Sequence, residues 1–323
     1  MKKRVLVTEQ FPSSIIQFLE QEVEVEYWGG KPDQMPRELL LKKAVNIHGL
    51  ITGKDQIDQA LIEASPKLEV VSNVSVGYDN FDVEAIKNAK LLATHTPYVL
   101  DETVADLIFG LIIATSRRIT ELDQYVKQGK WKFSLDKTLF GTDVHHKKLG
   151  IIGMGRIGEK VARRARLGFE MEVAYFNRHR KQNVEKDLNI RYEEMDALLE
   201  SSDFILLLTP LTKETYHLIG ADCFHKMKKT AFFINAGRGP VVDEKALVEA
   251  LRQNEIAGAG LDVFEQEPTD PNNPLLQMKN VVTLPHTASA TMETRNQMKW
   301  FAAKNMLQGL KGEKPDALIK ELQ

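Results

Sequence analysis

Among its 323 residues the chain has a single cysteine, Cys223. An internal disulfide is therefore excluded, and cysteine usage gives no sign of an oxidising compartment. We expect Cys223 to be a buried, inert thiol. An excess of one charge is missing too: 43 Lys and Arg face 45 Asp and Glu, a net charge of −2. That balance gives no field for nucleic acid or a membrane surface. Long apolar runs are absent. Near the N-terminus only "VLV" follows "MKKR", which is too short for a signal-peptide core and reads as a first strand. No stretch approaches the length of a transmembrane helix, so the expected setting is cytoplasmic. Low-complexity segments and short-period repeats are also missing. What remains is a globular chain, 43% hydrophobic and 27% charged, long enough for two domains with a sizeable core.

Short apolar runs alternate with helical patterns along the whole chain. "RVLV", "VEVEY", "GLIT", "LEVVS" and "KLLAT" read as strands, with "SSIIQFLEQ" and "IDQALIEAS" as helices between them. This βαβα rhythm predicts a parallel sheet covered on both faces. A second series runs through "KLGIIGMGRIG", "EVAYFN", "FILLLTP", "AFFINA", "AGAGLDV" and "VVTLP", so two independent parallel sheets are expected. Between the series, Thr103 to Ile119 is apolar on most sides and reads as a buried helix. A final helix, "TMETRNQMKWFAAKNMLQGL", is placed to carry the chain back to the first domain.

"LGIIGMGRIG" puts Gly153, Gly155 and Gly158 after a strand and at the opening of a helix. The first glycine permits a tight turn, the second lets backbone approach a pyrophosphate, and the third lets helix pack on strand. The helix start, with Arg156 and Ile157, then presents amides and a positive dipole end to the phosphates. Alone the motif is weak, but here it sits in the strand–turn–helix setting that gives it meaning. The next strand ends at Asn177, where an NAD-preferring site would carry an acid for the ribose hydroxyls. Asn177 removes the repulsion of a 2′-phosphate, Arg178 can bind that phosphate, and Arg180 is a second candidate. We read this as a preference for NADP(H) with NAD(H) still possible; a solvated basic turn is the other reading.

"FFINAGRGPVVDEKAL", "AGLDVFEQEP" and "VVTLPHTASA" each leave an apolar strand in polar residues. They deliver Arg238, Glu267 and His286 near the carboxyl ends of strands, where open α/β sheets bind ligands. Arginine grips a carboxylate, histidine moves a proton near neutral pH, and a glutamate bonded to that imidazole favours its charged form. His145–His146 has no partner ligands at metal-binding spacing, and no metal is expected. The other histidines are taken as ordinary.

Together "GMGRIG", "NAGRGPVVDEKAL", "GLDVFEQEP" and "LPH", with "SVGYDNFD" and "HTPYVLDETVAD", resemble the D-2-hydroxyacid dehydrogenase family over nearly the whole chain. Within it they are similar to the bacterial glyoxylate/hydroxypyruvate reductases that also act on 2-ketogluconate. The resemblance implies an α/β fold of two doubly wound parallel-sheet domains. A Rossmann dinucleotide-binding domain, residues 101–289, is inserted in a flavodoxin-like substrate domain, residues 1–100 plus 290–323. It implies that Arg238 binds and polarises a 2-keto acid, that His286 is the acid/base, and that Glu267 is its partner. It assigns the substrate carboxylate to the backbone of Val76 and Gly77, with Ser75 beside them. It assigns Thr103, Thr209, Pro210, Ala236, Asp262 and Ala288 to the cofactor. Ala288 departs from the glycine usual in the family, which matters if that position needs a positive φ.

The implied activity is NADPH-dependent reduction of a small 2-keto acid to a D-2-hydroxy acid. A 3-phosphoglycerate dehydrogenase and an NAD(P)-sensing corepressor remain alternatives. The first is disfavoured by the missing acid and by an end soon after the last helix, the second by the intact Arg–Glu–His set and the lack of a basic tail. The residues lining a longer substrate's tail are not identifiable in the sequence. Family members pair through their cofactor domains, so a homodimer is expected. In the irregular stretch "GKWKFSLDKTLFGTDVHHK", Trp131 and Phe133 pack either on a neighbour or within the chain.

Overall fold

The structure, a computed structural model, describes residues 2–29, 35–132, 134 and 136–323. It divides into two compact units, one of Met1–Leu100 with Ala290–Gln323 and one of Asp101–Ser289. Each holds one parallel sheet.

In the first unit β1 (Arg4–Val7), β2 (Glu24–Tyr27), β3 (Gly49–Thr52), β4 (Val70–Asn73) and β5 (Leu92–Thr94) line up as β2-β1-β3-β4-β5. This is the flavodoxin-like order, with its topological switch between β1 and β3. β3 and β4 are buried at every residue, which is why they read as continuous apolar runs rather than alternating ones. Two of the short helices start at aspartates whose side chains accept an amide of the first turn: Asp58 from Leu61 and Asp82 from Ala85. The last helix, Met292–Leu310, is capped by Thr291 and packs on β3, β4 and β5. There Ser72 donates to the carbonyl of Ala302 at 3.0 Å.

In the second unit β6 (Lys148–Ile152), β7 (Glu172–Phe176), β8 (Arg191–Tyr192), β9 (Phe204–Leu207), β10 (Phe232–Asn235), β11 (Gly258–Leu261) and β12 (Val281–Thr283) form the order β12-β11-β10-β9-β6-β7-β8. Counted from β6 this is 3-2-1-4-5-6 with a seventh strand added, the Rossmann order. The expected pair of doubly wound parallel sheets is what the chain forms. β8 was not expected: at two residues, "RY" carries no periodic signal.

Two expectations are corrected. The apolar helix spans Asp101–Ser116 rather than Thr103 to Ile119. Arg118 stops it by adopting a left-handed φ of 57°, and Ile119 opens a separate helix, Ile119–Lys127, that buries none of its residues. Cys223 is half-buried, not buried. It lies in the first turn of a short amphipathic helix, Ala221–Lys226, in which Phe224 is the residue turned to the core. Among the described residues no helix is long and apolar enough to cross a membrane.

Candidate active site

The carboxyl ends of three adjacent strands of the second unit carry the acid–base groups. Beyond β10 the buried Asn235 shapes the turn: its Oδ1 accepts from the Gly237 amide at 3.1 Å and its Nδ2 donates to the Arg238 carbonyl at 3.4 Å. Nothing in the sequence singled out Asn235, because an asparagine at a strand end is common. Beyond β11 comes Glu267, and beyond β12 comes His286. Their side chains meet, His286 Nδ1 lying 2.6 Å from Glu267 Oε2. The other Glu267 oxygen accepts from the Phe264 amide at 3.1 Å. Burial opposes charge on Glu267, yet the His286 hydrogen bond, with smaller help from Phe264 and Arg238, holds its carboxyl below the ordinary range. Glu267 is thus an anion facing Nδ1, and Nε2 is the ring nitrogen it does not engage.

His286 itself has a positive φ of 53°, a conformation that costs a branched or bulky residue energy and persists only where its surroundings enforce it. Asp262, beyond β11, supplies that enforcement. Its two carboxylate oxygens accept from the amides of Thr287 at 2.8 Å and Ala288 at 3.0 Å. Burial raises the Asp262 carboxyl above its ordinary range, against those two amides and His286. Ala288 is buried and is not among the residues with positive φ, so its methyl group meets no backbone penalty.

The glycine-rich turn follows β6. Gly153 has a φ of 105°, and a side chain there would press on the Leu208 carbonyl carbon at 2.8 Å. At Gly155 nothing lies within 4 Å of where a side chain would begin, and at Gly158 one would meet the Gly153 carbonyl at 2.8 Å. The turn therefore leaves open backbone at the helix Arg156–Gly168, the form a pyrophosphate needs. Arg156 donates through Nε to Asp101 at 3.1 Å, tying the turn to the start of the helix that carries Thr103. Ala236 follows β10 directly. Beyond β9, Thr209 keeps a buried hydroxyl with no hydrogen-bond partner among the described residues, and Pro210 accepts from Thr215.

At the end of β7, Asn177 donates to the His179 carbonyl at 3.0 Å. Arg178 is exposed and forms no ion pair among the described residues. The Thr212 side chain and local backbone, with smaller help from Arg178 and Lys213, hold the nearby Glu214 carboxyl below its ordinary range. Arg180 differs: its Nη2 and Nε reach Glu185, at 2.6 and 3.1 Å, and its guanidinium lies 5.4 Å from the Tyr192 ring centre. It already has partners within the fold, whereas Arg178 forms no ion pair among the described residues.

In the first unit, Ser75, Val76 and Gly77 follow β4, and their carbonyls are all held. Ser75 accepts from the Thr96 amide at 2.9 Å, Val76 from His95 Nδ1 at 2.8 Å, and Gly77 from Asn73 Nδ2 at 2.8 Å. Across a trans peptide the next N–H points the opposite way. The amides of Val76 and Gly77 are thereby turned away from the groups that hold the loop. The sequence reading passed over His95 and Asn73. Their role shows only when β4 and β5 are laid side by side.

A dinucleotide-type sheet whose strand ends also carry an imidazole–carboxylate pair defines the class as a nicotinamide-linked dehydrogenase. Comparison with known proteins narrows it. Residues 109–288 match the model of the D-isomer specific 2-hydroxyacid dehydrogenase, NAD binding domain. Glyoxylate/hydroxypyruvate reductase B of Escherichia fergusonii is 49% identical over 312 residues, 97% of this chain and 96% of that protein. A solved protein of Thermus thermophilus superposes with a TM-score of 0.91 at 39% identity, over 98% and 99% of the two chains. The NADPH-dependent glyoxylate/hydroxypyruvate reductase of Sinorhizobium meliloti, solved with NADP and malonate, gives 0.87 at 32% identity over 100% and 98%. The chain belongs to the D-isomer specific 2-hydroxyacid dehydrogenase family, and its second unit is the NAD-binding domain.

Proposed function

We propose that the protein is a cytoplasmic, NADPH-dependent reductase of 2-keto acids, converting glyoxylate, hydroxypyruvate and 2-ketogluconate to D-2-hydroxy acids. The observation that carries this is the His286–Glu267 pair at 2.6 Å, on strand ends next to that of Arg238, in a chain so close to reductases of that name. Gly153, Gly155, Gly158, Arg156 and Ile157 hold the pyrophosphate; Thr103, Thr209, Pro210, Ala236, Asp262 and Ala288 line the rest of the cofactor, and Asn177 and Arg178 take the 2′-phosphate. When bound, the cofactor supplies a hydride to the substrate's C2.

This chain's residues do the remainder. The amides of Val76 and Gly77, with Ser75 beside them, hold the substrate carboxylate in the manner of an anion nest. Arg238 binds the acid and stabilises charge growing on the keto oxygen. His286 delivers the proton from Nε2 while Glu267 fixes its ring. With hydroxypyruvate and NADPH the expected product is D-glycerate, read by chiral chromatography; an L product contradicts the assignment.

The rivals part from this reading in measurable ways. A 3-phosphoglycerate dehydrogenase would favour NADH and a phosphorylated acid, and a sensor would bind cofactor without turnover. The active form is a homodimer in this proposal. Trp131 is 65% exposed, and in this proposal a second copy covers it, while Phe133 lies outside the described residues. A monomer in sedimentation velocity would contradict the dimer.

A further inference from the structure

The crevice at the topological switch of the first unit is not plain protein surface. Outside the carboxyl ends of β1 and β3 lie Thr8 and Glu9 from one strand and Gly53, Lys54 and Asp55 from the other. Doubly wound sheets bind ligands at that place. Asp55 is used internally: Thr8 and Thr52 both donate to its Oδ2 at 2.6 Å. Its carbonyl accepts from Asn80 at 2.8 Å, which joins this crevice to the loop after β4.

Glu9 is used otherwise. Its carboxylate lies directly over Gly53, where an added side chain would sit 1.8 Å from Oε1. Among the described residues that carboxylate makes no hydrogen bond and no ion pair. Lys54 faces it from the β3 loop, and Arg295 and Lys299 face it from successive turns of the helix Met292–Leu310. Burial lifts the Glu9 carboxyl above its ordinary range against the pull of Lys299, Arg295 and Lys54. Burial likewise holds Lys299 below its ordinary range, with Glu9 opposing. Lys299 also lies 5.9 Å from the centre of the Phe11 ring. A partly buried acid beside three cations, none within bonding distance, has hydrogen-bonding capacity to give to a ligand.

We propose that Glu9, Lys54, Arg295 and Lys299 form a subsite for the hydroxylated tail of a long 2-keto acid, of the 2-ketoaldonate class. This rests on the reductase reading above, in which the Val76–Gly77 amides hold the carboxylate. From β4 to β1 is two strand spacings, roughly 10 Å. The Glu9 side chain covers one of these by reaching Gly53. A two-carbon acid anchored after β4 falls short of Glu9, whereas a six-carbon acid extends toward it. Hydroxyl groups donate to Glu9 and accept from the cations, so a polyol uses both kinds of partner. A phosphate would use the cations and be repelled by Glu9.

The test is the ratio of kcat/KM for 2-ketogluconate to that for glyoxylate, measured with NADPH on the full chain. It is compared among the wild type, Glu9→Gln, and Gly53→Ala, whose methyl group displaces the Glu9 carboxylate. Both substitutions are expected to lower the ratio roughly ten-fold or more, because a site built to bond hydroxyls loses discrimination when a partner is removed. Circular dichroism melts confirm that the variants are folded. An unchanged ratio in both folded variants overturns the proposal. So does a wild type that reduces glyoxylate but not 2-ketogluconate, or one that prefers 3-phosphohydroxypyruvate and loses that preference in Lys54→Ala. A wild type that reduces no 2-keto acid removes the parent reading as well.

Discussion

His286→Ala is expected to lower kcat for glyoxylate reduction by on the order of 10²- to 10⁴-fold, the usual worth of a positioned general acid. NADPH binding, followed by quenching of protein fluorescence, is expected to persist. The reason is geometric. Glu267 is hydrogen-bonded to Nδ1 and to the Phe264 amide, so in the proposed reaction Nε2 is the atom that gives the proton. The pH dependence of the pair follows from Glu267. Its carboxyl lies below the ordinary range, so the pairing is complete above the ordinary carboxylate range. It is lost as pH falls through the depressed value, below that range. Near-wild-type turnover in His286→Ala would refute the role.

Arg178→Ala should raise the KM for NADPH far more than that for NADH. A charge-assisted hydrogen bond to a phosphate is worth about 1.5–3 kcal/mol, on the order of ten- to hundred-fold in affinity. Arg180 provides no substitute, since Glu185 holds it at 2.6 Å. Arg180→Ala is expected to shift cofactor preference little. Equal effects of Arg178→Ala on both cofactors would show that the basic turn is only a solvated one.

Much of this was legible in the sequence because it is local. Gly153, Gly155 and Gly158 announce their turn by spacing, and the strands announce themselves as short apolar runs between helical patterns. Arg238, Glu267 and His286 stand just beyond strands whose carboxyl ends a parallel sheet must align. What sequence could not show depends on neighbours across the sheet. His95 and Asn73 fix the Ser75–Gly77 loop from β5 and β4, and neither has a local signature. The break at Arg118 was missed because apolar periodicity continues into Ile119, while the backbone turns left-handed one residue before it. Arg178 and Arg180 look alike in sequence; only the fold shows that Tyr192 and Glu185 engage one of them. The cluster around Glu9 joins residues from both ends of the chain, and no linear pattern connects Glu9 to Lys299.

The account is tested most directly by steady-state kinetics on the wild-type chain, with NADPH and NADH each run against glyoxylate, hydroxypyruvate and 3-phosphohydroxypyruvate. It predicts efficient oxidation of NADPH with the first two acids and a clear loss of kcat/KM when NADH replaces NADPH. Turnover confined to NADH and the phosphorylated acid, or cofactor binding with no turnover on any acid, would contradict it.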